Sequence, residues 1–407
     1  MSVFGSGGFG GAGVRPGFTR YAVRLQYHGG SFLGFTRQGN EDQVDAVAGT
    51  DLRGYTSVET RLVRSLRRLV GGNGGFENLQ VSSRTDRGVH AMGNTLHVDV
   101  ADGAGIGANE LHRGLQYHLA RDDLYRRYRG DLSFENSDGD DQHAPASTAK
   151  RVKRLRGSTL YRSPCADGSW VRYSPFHDVR VVAAAEAPRE MKVLVRSCGQ
   201  PRPEARYVDW NARYSATERT YLYRVVCGGG GMDWAAPFEW DRSWRVREHL
   251  DVDAMREAAR HLVCDEGGDG DLGKDYSSFR SKGCQRVSPI VRLGKLEIHS
   301  QPYGPVVAGI AMPSGLDGQI GPSIGNGDDE RRDGGDCQLV QLLYRGNAFL
   351  YRMVRNMTGC LVQVGRGKVK PSQVKDILDA RDRTRAPAMA PPQGLFLLHV
   401  QHGDFAF

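Results

Sequence analysis

The chain contains no apolar run long enough to cross a bilayer and no pair of cysteines in a CxxC arrangement. A membrane-spanning helix needs roughly 18 consecutive apolar residues, so no membrane association is expected. A structural zinc site has no support without paired cysteines. The seven cysteines are odd in number and irregularly spaced. This pattern favours free thiols in an intracellular, reducing compartment, and the sequence does not determine whether that compartment is mitochondrial or nuclear.

Basic residues outnumber acidic ones, 55 to 47, and the formal net charge is +8. This balance favours a polyanionic partner such as RNA, although a merely soluble basic protein would show it too. Hydrophobic residues make up 39% of the 407 residues, which is enough for a sizeable core. The first twenty residues are rich in glycine and contain no acid. They indicate a flexible N-terminus, with an organellar targeting peptide as the alternative.

Hydrophobic periodicity predicts two successive sets of strands and helices, which is typical of an α+β duplication. The predicted strands are 21–27, 94–100, 221–225, 290–298, 305–311, 338–344 and 394–400, and the predicted helices are 57–70, 111–119, 255–263, 348–364 and one opening at 371. The chain is predicted to begin with a flexible N-terminus at 1–19. An N-terminal α+β subdomain follows at 20–186, with a basic insertion at about 121–176, and then a linker or insertion at 187–205. A C-terminal α+β subdomain occupies 206–407 and contains a loop rich in Gly and Asp at 313–336.

The segment SRTDRGVHA at 83–91 is the most informative stretch for chemistry. Asp86 falls in a turn next to Gly88, which can adopt backbone angles that other residues avoid. Polar groups on loops between strands are common in active sites. An Asp in a turn is far more often only a turn former, and periodicity alone favours that interpretation.

The same segment resembles the RTDxGVHA signature of the tRNA pseudouridine synthase A family. Five further blocks in the family's order resemble its other motifs, so that the resemblance spans residues 21 to 400. These blocks are LQYHGGSFLGF at 25–35, NARYSATERTYLY at 211–223, YSSFR at 276–280, NAFLYRMVRNMTG at 347–359 and GLFL at 394–397. One block could arise by chance, but the ordered set is highly specific.

The resemblance implies two ferredoxin-like subdomains whose strands form a mixed, mainly antiparallel sheet with a central RNA-binding cleft. It implies the isomerisation of uridine to pseudouridine in structured RNA, with tRNA as the first candidate and rRNA as another. Asp86 matches the family's catalytic carboxylate, Tyr221 the tyrosine that stacks on the target uracil, and Arg355 the arginine that pairs with the carboxylate. On its predicted helix, Arg355 lies nearly opposite the apolar stripe, a position that suits a cleft or solvent equally. No cofactor or metal is implied.

Basic residues near the turn and elsewhere are candidates for RNA contacts. Arg84 matches a family arginine that helps to displace the target base, and Arg87 departs from the family by placing a second cation beside Asp86. The remaining candidates are His90, the helical row of Arg61, Arg64 and Arg68, and the basic run with Lys150, Arg151, Lys153 and Arg154. Most such rows and runs are solvated surface, and only some contact phosphate.

The insertions near 40–55, 121–176, 187–205 and 313–336 suggest an elaborated, eukaryotic-like family member. Some family members are homodimers, so the sequence admits a homodimer and also a role in ribonucleoprotein assembly. The main rival to the enzyme is an RNA-binding scaffold or ribosome assembly factor that keeps the fold, whether it is active on rRNA or inactive. Intact Arg84, Asp86, Tyr221 and Arg355 count against a loss of activity.

Overall fold

A computed structural model describes most of the chain. The described residues are 13–37, 56–72, 74–120, 162–164, 170–172, 178–189, 191–195, 204–228, 239–264, 273–303, 337–403, 405 and 407. The predicted strand at 305–311, the predicted loop at 313–336 and the basic run at 150–154 lie outside this part of the chain, and so does most of the insertion at 121–176.

Fifteen strands and five α-helices occur in the described part of the chain. The strands are β1 (Phe18–Tyr27), β2 (Phe76–Val81), β3 (His90–Ala101), β4 (Arg162–Pro164), β5 (Trp170–Arg172), β6 (Val179–Glu186), β7 (Met191–Val195), β8 (Glu204–Val208), β9 (Glu218–Cys227), β10 (Trp244–Val246), β11 (Lys274–Asp275), β12 (Ile290–Val291), β13 (Leu293–Pro302), β14 (Gln338–Gly346) and β15 (Leu395–Gln401). The helices are α1 (Val58–Leu69), α2 (Ala108–Ala120), α3 (Val252–Leu262), α4 (Met353–Gly365) and α5 (Gln373–Asp379).

The chain forms two compact units, one built mainly from Gly8–Val193 with Glu204–Ser215 and one built mainly from Ala216–Gly403. In the first unit, β1 pairs antiparallel with β3 and with β6, and β2 pairs antiparallel with β3. The strand order is therefore β6-β1-β3-β2, with α1 between β1 and β2 and α2 between β3 and β6. This interleaved pair of βαβ crossovers is the ferredoxin-like arrangement.

The second unit repeats that arrangement. Strand β9 pairs antiparallel with β14 and with β15, and β13 pairs with β14, which gives the order β15-β9-β14-β13. Helix α3 lies between β9 and β13 in the chain, and α4 lies between β14 and β15. The short strand β10 adds a parallel pair to β9, so the sheet is mixed and mainly antiparallel. The predicted α+β class and ferredoxin-like pattern are thus confirmed within each unit, whereas the common sheet and the cleft stay predictions.

The connection between β13 and β14 starts and ends at residues that are paired with each other. The last residue pair of β13 and β14 joins Pro302 to Gln338. Just beyond it, the Tyr303 N–H donates to the Cys337 carbonyl at 2.6 Å. The chain therefore leaves β13 and enters β14 at directly opposed positions.

Helix α1 begins one residue after the predicted start, and Ser57 caps it by accepting from the Thr60 N–H at 3.1 Å. The Glu59 carboxylate in its first turn accepts from the Arg37 N–H at 2.8 Å. Helix α4 begins at Met353 rather than near 348, because Arg352 adopts a left-handed backbone with a φ of 61°.

A buried polar cluster fixes residues 209–212 to the first unit. Arg20 forms two hydrogen bonds to the carboxylate of Asp99, at 2.6 and 2.7 Å, and a third to the Trp210 carbonyl at 2.9 Å. Nδ1 of His97 accepts from the Ala212 N–H at 3.0 Å. The prediction assigned 206–215 to the second subdomain, whereas these contacts place residues 204–215 in the first unit.

His97 should make stability depend on pH. Burial, followed by the positive charge of Arg20, lowers the pKa of His97 from 6.5 to about 3, while Asp99 opposes the shift. Below pH 6.5 the unfolded chain therefore binds a proton that the folded chain does not, and the free energy of unfolding falls. The loss should reach about 2 kcal/mol at pH 5.

Urea unfolding of the wild type and of His97→Asn at pH 7.5 and pH 5 measures this effect. Asn supplies an acceptor oxygen near the place of Nδ1 but does not titrate in this range. The variant should therefore lose about 2 kcal/mol less than the wild type between the two pH values. Equal losses in the two proteins would contradict the assignment to His97.

Candidate functional site

Asp86 lies in the loop that joins β2 to β3, with its side chain half-buried. The Val89 N–H donates to the Asp86 carbonyl at 3.1 Å and closes a turn. Gly88 occupies this turn with a φ of 81°, a backbone conformation that favours glycine. The predicted turn around Asp86 is therefore present, and the residue is partly exposed to solvent.

A second loop, at residues 28–35, holds the Asp86 loop in place. The Phe35 N–H donates to the Thr85 carbonyl at 3.0 Å, and Gly34 forms an isolated antiparallel bridge with Asp86. A Cβ atom on Gly29 would lie 2.1 Å from the Val89 carbonyl oxygen, so only glycine fits there. The YHGG block of the sequence thus acts as the support of the SRTDRGVHA block.

The hydroxyl group of Tyr27 joins the loop to β3. It lies 2.8 Å from the Thr85 hydroxyl, and Asn94 donates to it at 3.0 Å. Asn94 also donates to the Ser83 carbonyl at 2.8 Å. The sequence prediction missed Tyr27 and Asn94 as positioning residues. A tyrosine at the end of a buried strand, directly before the His-Gly-Gly turn, was the available signal for Tyr27.

The charged neighbours of Asp86 separate into exposed and buried groups. Arg84 and Arg87 are exposed on either side of the half-buried carboxylate, which suits contact with an anionic partner. His90 is only 2% exposed, and its Nδ1 atom accepts from the Gly29 N–H at 3.1 Å. The structure therefore gives His90 a role in holding the turn, and the prediction that it contacts RNA is wrong for this buried conformation.

The predicted basic row on α1 is not a continuous surface. Arg61 is 7% exposed and donates to the Leu119 carbonyl at 2.9 Å. Arg64 is half-buried, and Arg68 is exposed. Arg61 thus caps the C-terminal end of α2 rather than presenting its charge to solvent, because the carbonyl groups at a helix end need donors. Of these three arginines, Arg68 is the exposed one.

In the second unit, Tyr221 lies on the central strand β9. It is 7% exposed, and its ring packs edge to face on Phe349 with centroids 5.0 Å apart. In the sheet, Tyr221 faces Tyr344 of β14 on one side and Leu397 of β15 on the other. These neighbours give the ring a defined position.

Arg355 is buried in the first turn of α4 and is anchored to the segment that precedes β15. Its Nε atom donates to the Ala390 carbonyl at 2.9 Å, while the Ala390 N–H donates to the Arg355 carbonyl at 3.1 Å. The helix is buried on nearly all sides, so the prediction of an apolar stripe with Arg355 opposite it is too simple. Arg355 is 6% exposed, which excludes an open solvent position.

Gly359 allows the anchoring segment to pass close to α4. A Cβ atom at this position would lie 2.1 Å from the Ala388 carbonyl oxygen. Farther along the same segment, the Tyr223 hydroxyl donates to the Pro391 carbonyl at 2.6 Å. The backbone that accepts from Arg355 is therefore held from two sides.

Two further searches concern only the described ranges. No group of three or more His, Cys, Asp or Glu side chains there could hold a metal ion. Within the same ranges, no helix has the length and apolar character that a membrane span requires.

Comparisons with known proteins cover both units. A family model described as tRNA pseudouridine synthase matches residues 272–402, a range that includes Arg355 but neither Asp86 nor Tyr221. The tRNA pseudouridine synthase A of Gluconobacter oxydans is 26% identical over 96% of this chain and 92% of its own length. That of Cereibacter sphaeroides is 28% identical over 94% and 96%. That of Burkholderia mallei is 26% identical over 95% and 92%. These relatives are bacterial, and the eukaryotic-like character stays a prediction.

Gly29→Ala should disturb the Asp86 loop because the new methyl group would overlap the Val89 carbonyl. Overpacking of this kind costs about 1–3 kcal/mol. Urea unfolding measures the loss, and amide hydrogen exchange at Phe35 and Val89 should become faster. The matched control is Gly30→Ala, whose Cβ would approach only the movable His28 side chain, at 3.0 Å. Equal stability of the two variants would contradict the tight fit at Gly29.

Proposed function

We propose that this chain is a member of the tRNA pseudouridine synthase A family and that it isomerises uridine to pseudouridine in tRNA, on the support of its similarity to that family. Asp86 is the proposed catalytic carboxylate. The observation that carries the proposal is the Asp86 loop. It presents a half-buried carboxylate between two exposed arginines, on a turn fixed by Phe35, Gly34 and Tyr27.

The chemistry requires a group that can act as nucleophile or base beside the ribose. The carboxylate attacks C1′ of the target nucleotide, or it removes the C2′ proton in a glycal route. In both routes the bond from C1′ to N1 breaks, the uracil turns, and a bond from C1′ to C5 forms. As that bond forms, the ester bond from C1′ to Asp86 breaks in the first route, and Asp86 returns the proton to C2′ in the second. C5 then loses its proton, and N1 gains one. Substrate and product contain the same atoms, so the overall reaction consumes no redox equivalent.

Tyr221 and Arg355 have proposed roles beside Asp86. Tyr221 stacks on the target uracil and supports it while it turns, since an aromatic face holds a base without fixing its rotation. Arg355 pairs with the carboxylate, keeps it ionised and selects its rotamer. The bonds between Arg355 and Ala390 support this role because they restrict the guanidinium group before substrate arrives.

Binding of a structured RNA must offset the cost of extruding the target nucleotide, which is a few kcal/mol. We assign part of this offset to Arg84, Arg87 and Arg68, whose charges lie on the surface. Arg84 is also proposed to help displace the target base. The run with Lys150, Arg151, Lys153 and Arg154 remains a proposal for further phosphate contacts, and Arg64 could contribute with its half-buried side chain.

Several finer points are proposals as well. An rRNA target, a homodimer and participation in a ribonucleoprotein are compatible with an RNA-binding enzyme of this family. Light scattering of the purified chain, with and without RNA, would measure the oligomeric state. We also propose an intracellular, reducing compartment, since the described cysteines Cys227, Cys264, Cys284, Cys337 and Cys360 are free thiols.

Asp86→Asn should abolish pseudouridine formation while RNA binding persists. The amide has the shape of the carboxylate but neither its nucleophilicity nor its basicity, so the rate should fall roughly a thousandfold or more. The measurement is pseudouridine mapping across tRNA and rRNA after incubation with wild type or variant. Sites lost only with the variant identify the substrate. If the wild type modifies no site and binds RNA as tightly as the variant, the chain is an RNA-binding scaffold instead.

Arg355→Lys should lower kcat by about a hundredfold and leave KM nearly unchanged. Lysine keeps the charge but cannot reproduce both the bond to Ala390 and a two-pronged contact with a carboxylate, and small misplacements of this kind have large kinetic costs. In the Asp86→Asn background the substitution should have little further effect, because the proposed partner is gone. The matched control is Arg345→Lys on the exposed face of β14. Additive effects of the two substitutions would contradict the pairing.

A further inference from the structure

Two segments of the second unit contain basic residues but no acid. Neither 276–296 nor 338–375 includes an Asp or a Glu. The basic residues of these segments are Arg280, Lys282, Arg286, Arg292 and Lys295 in the first, and Arg345, Arg352, Arg355, Arg366, Lys368, Lys370 and Lys375 in the second. The two segments themselves therefore supply no carboxylate, while carboxylates outside them pair with Lys295, Arg366 and Lys375.

Hydrogen bonds join the two segments. The Ser281 N–H donates to the Tyr351 carbonyl at 3.1 Å, and the Tyr351 N–H donates to Sγ of Cys284 at 3.4 Å. Farther along, the Arg292 N–H donates to Oδ1 of Asn347 at 3.1 Å. The turn before α4 and the loop before β12 are thereby fixed side by side.

Large hydrophobic residues are exposed in both of these segments. Tyr351 is 38% exposed, and Val287 is 93% exposed. The guanidinium group of Arg352 lies 4.7 Å from the centroid of the Tyr351 ring, in a cation–π arrangement. Arg352 adopts this position with a φ of 61°, which is uncommon for a residue with a side chain. We call Lys282, Arg286, Val287, Tyr351 and Arg352 the Tyr351 surface.

Two arginine side chains of the loop before β12 donate to backbone carbonyl groups in that loop. Arg280 donates to the Cys284 carbonyl at 3.1 Å, and Arg286 donates to the Ile290 carbonyl at 3.2 Å. These contacts satisfy carbonyl groups but do not cancel charge. The loop is therefore a positively charged element with a defined backbone, which reduces the entropy that a binding partner must overcome.

We propose that the Tyr351 surface is a second RNA-contact site of the chain. Lys282 and Arg352 contact phosphate groups, and an unpaired base of the same RNA stacks on the Tyr351 ring. An exposed aromatic ring beside an arginine suits a base better than an acidic peptide, because it supplies a flat surface for stacking as well as charge. The proposal rests on the proposed function, since it assumes that RNA is the substrate.

The experiment measures the Kd of the full chain for an unmodified tRNA transcript by fluorescence anisotropy over a range of salt concentrations. Tyr351→Ala and Tyr351→Leu should weaken binding about five- to a hundredfold without changing the salt dependence, because stacking is lost and charge is not. Tyr351→Phe should bind like the wild type. Arg352→Asn, which tolerates a positive φ, should lower the slope of log K against log salt by about one.

Lys375→Ala is the matched control. It also removes one exposed charge, but this lysine lies 2.6 Å from the Asp379 carboxylate and outside the Tyr351 surface. Binding by Tyr351→Ala and Tyr351→Leu within twofold of wild type would overturn the proposal, even if Asp86→Asn still abolishes activity. Unchanged RNA binding combined with weaker binding of a polyglutamate peptide would assign the surface to an acidic protein. Retained activity of Asp86→Asn would instead refute the proposed function, whatever the Tyr351 variants show.

Discussion

The position of Asp86 depends on a small set of contacts between residues far apart in the sequence. The backbone at Gly34 and Phe35 holds the backbone at Thr85 and Asp86, and the Tyr27 hydroxyl links Thr85 to β3. A loop without such contacts would sample many conformations. Because these polar groups are buried, losing one partner leaves another unsatisfied, at a cost of about 1–3 kcal/mol. The carboxylate is therefore held by a network rather than by its own turn alone.

In the second unit, contacts with distant backbone atoms position a guanidinium group in the same way. Arg355 sits in the first turn of a buried helix, and Ala390 bonds to both its side chain and its backbone. Gly359 makes this arrangement feasible by leaving space for the Ala388 carbonyl. In each unit, a glycine without room for a methyl group lies in the segment that positions the residue assigned to chemistry. Gly29 lies in the loop that supports the Asp86 loop, and Gly359 lies in the helix of Arg355. Each group is thus positioned by backbone atoms, which have fewer degrees of freedom than side chains.

Sequence periodicity identified most of the elements, because alternation and helical spacing reflect which face is buried. Leu111, Leu115 and Leu119 recur at helical spacing in the predicted helix at 111–119, and all three are buried on α2. Periodicity failed for buried polar residues. Arg61 and His90 look like surface residues in the sequence, yet both are buried. Arg61 donates to a carbonyl at the end of a helix, and His90 accepts from a backbone N–H. Such partners are set by tertiary structure and leave no local pattern.

The buried ion pair of the first unit illustrates the same limit, since Arg20 and Asp99 are 79 positions apart. The catalytic and stacking roles came from the resemblance to a family and not from spacing. Ordered motifs could place Asp86, Tyr221 and Arg355 in the sequence, but only coordinates could reveal Tyr27, Asn94 and Ala390 as the groups that position two of them. The sequence therefore named candidates for the reactive groups but not the residues that position them.

The closure between β13 and β14 has a consequence for how this chain can change in length. Because Pro302 faces Gln338 and Tyr303 bonds to Cys337, the register of the two strands does not depend on the number of residues between them. Doubling the length of such a connection costs only about 0.6 kcal/mol in closure entropy. Evolution or protein engineering could therefore lengthen, shorten or replace this connection, for example with a reporter domain, without shifting the strand that carries Tyr344.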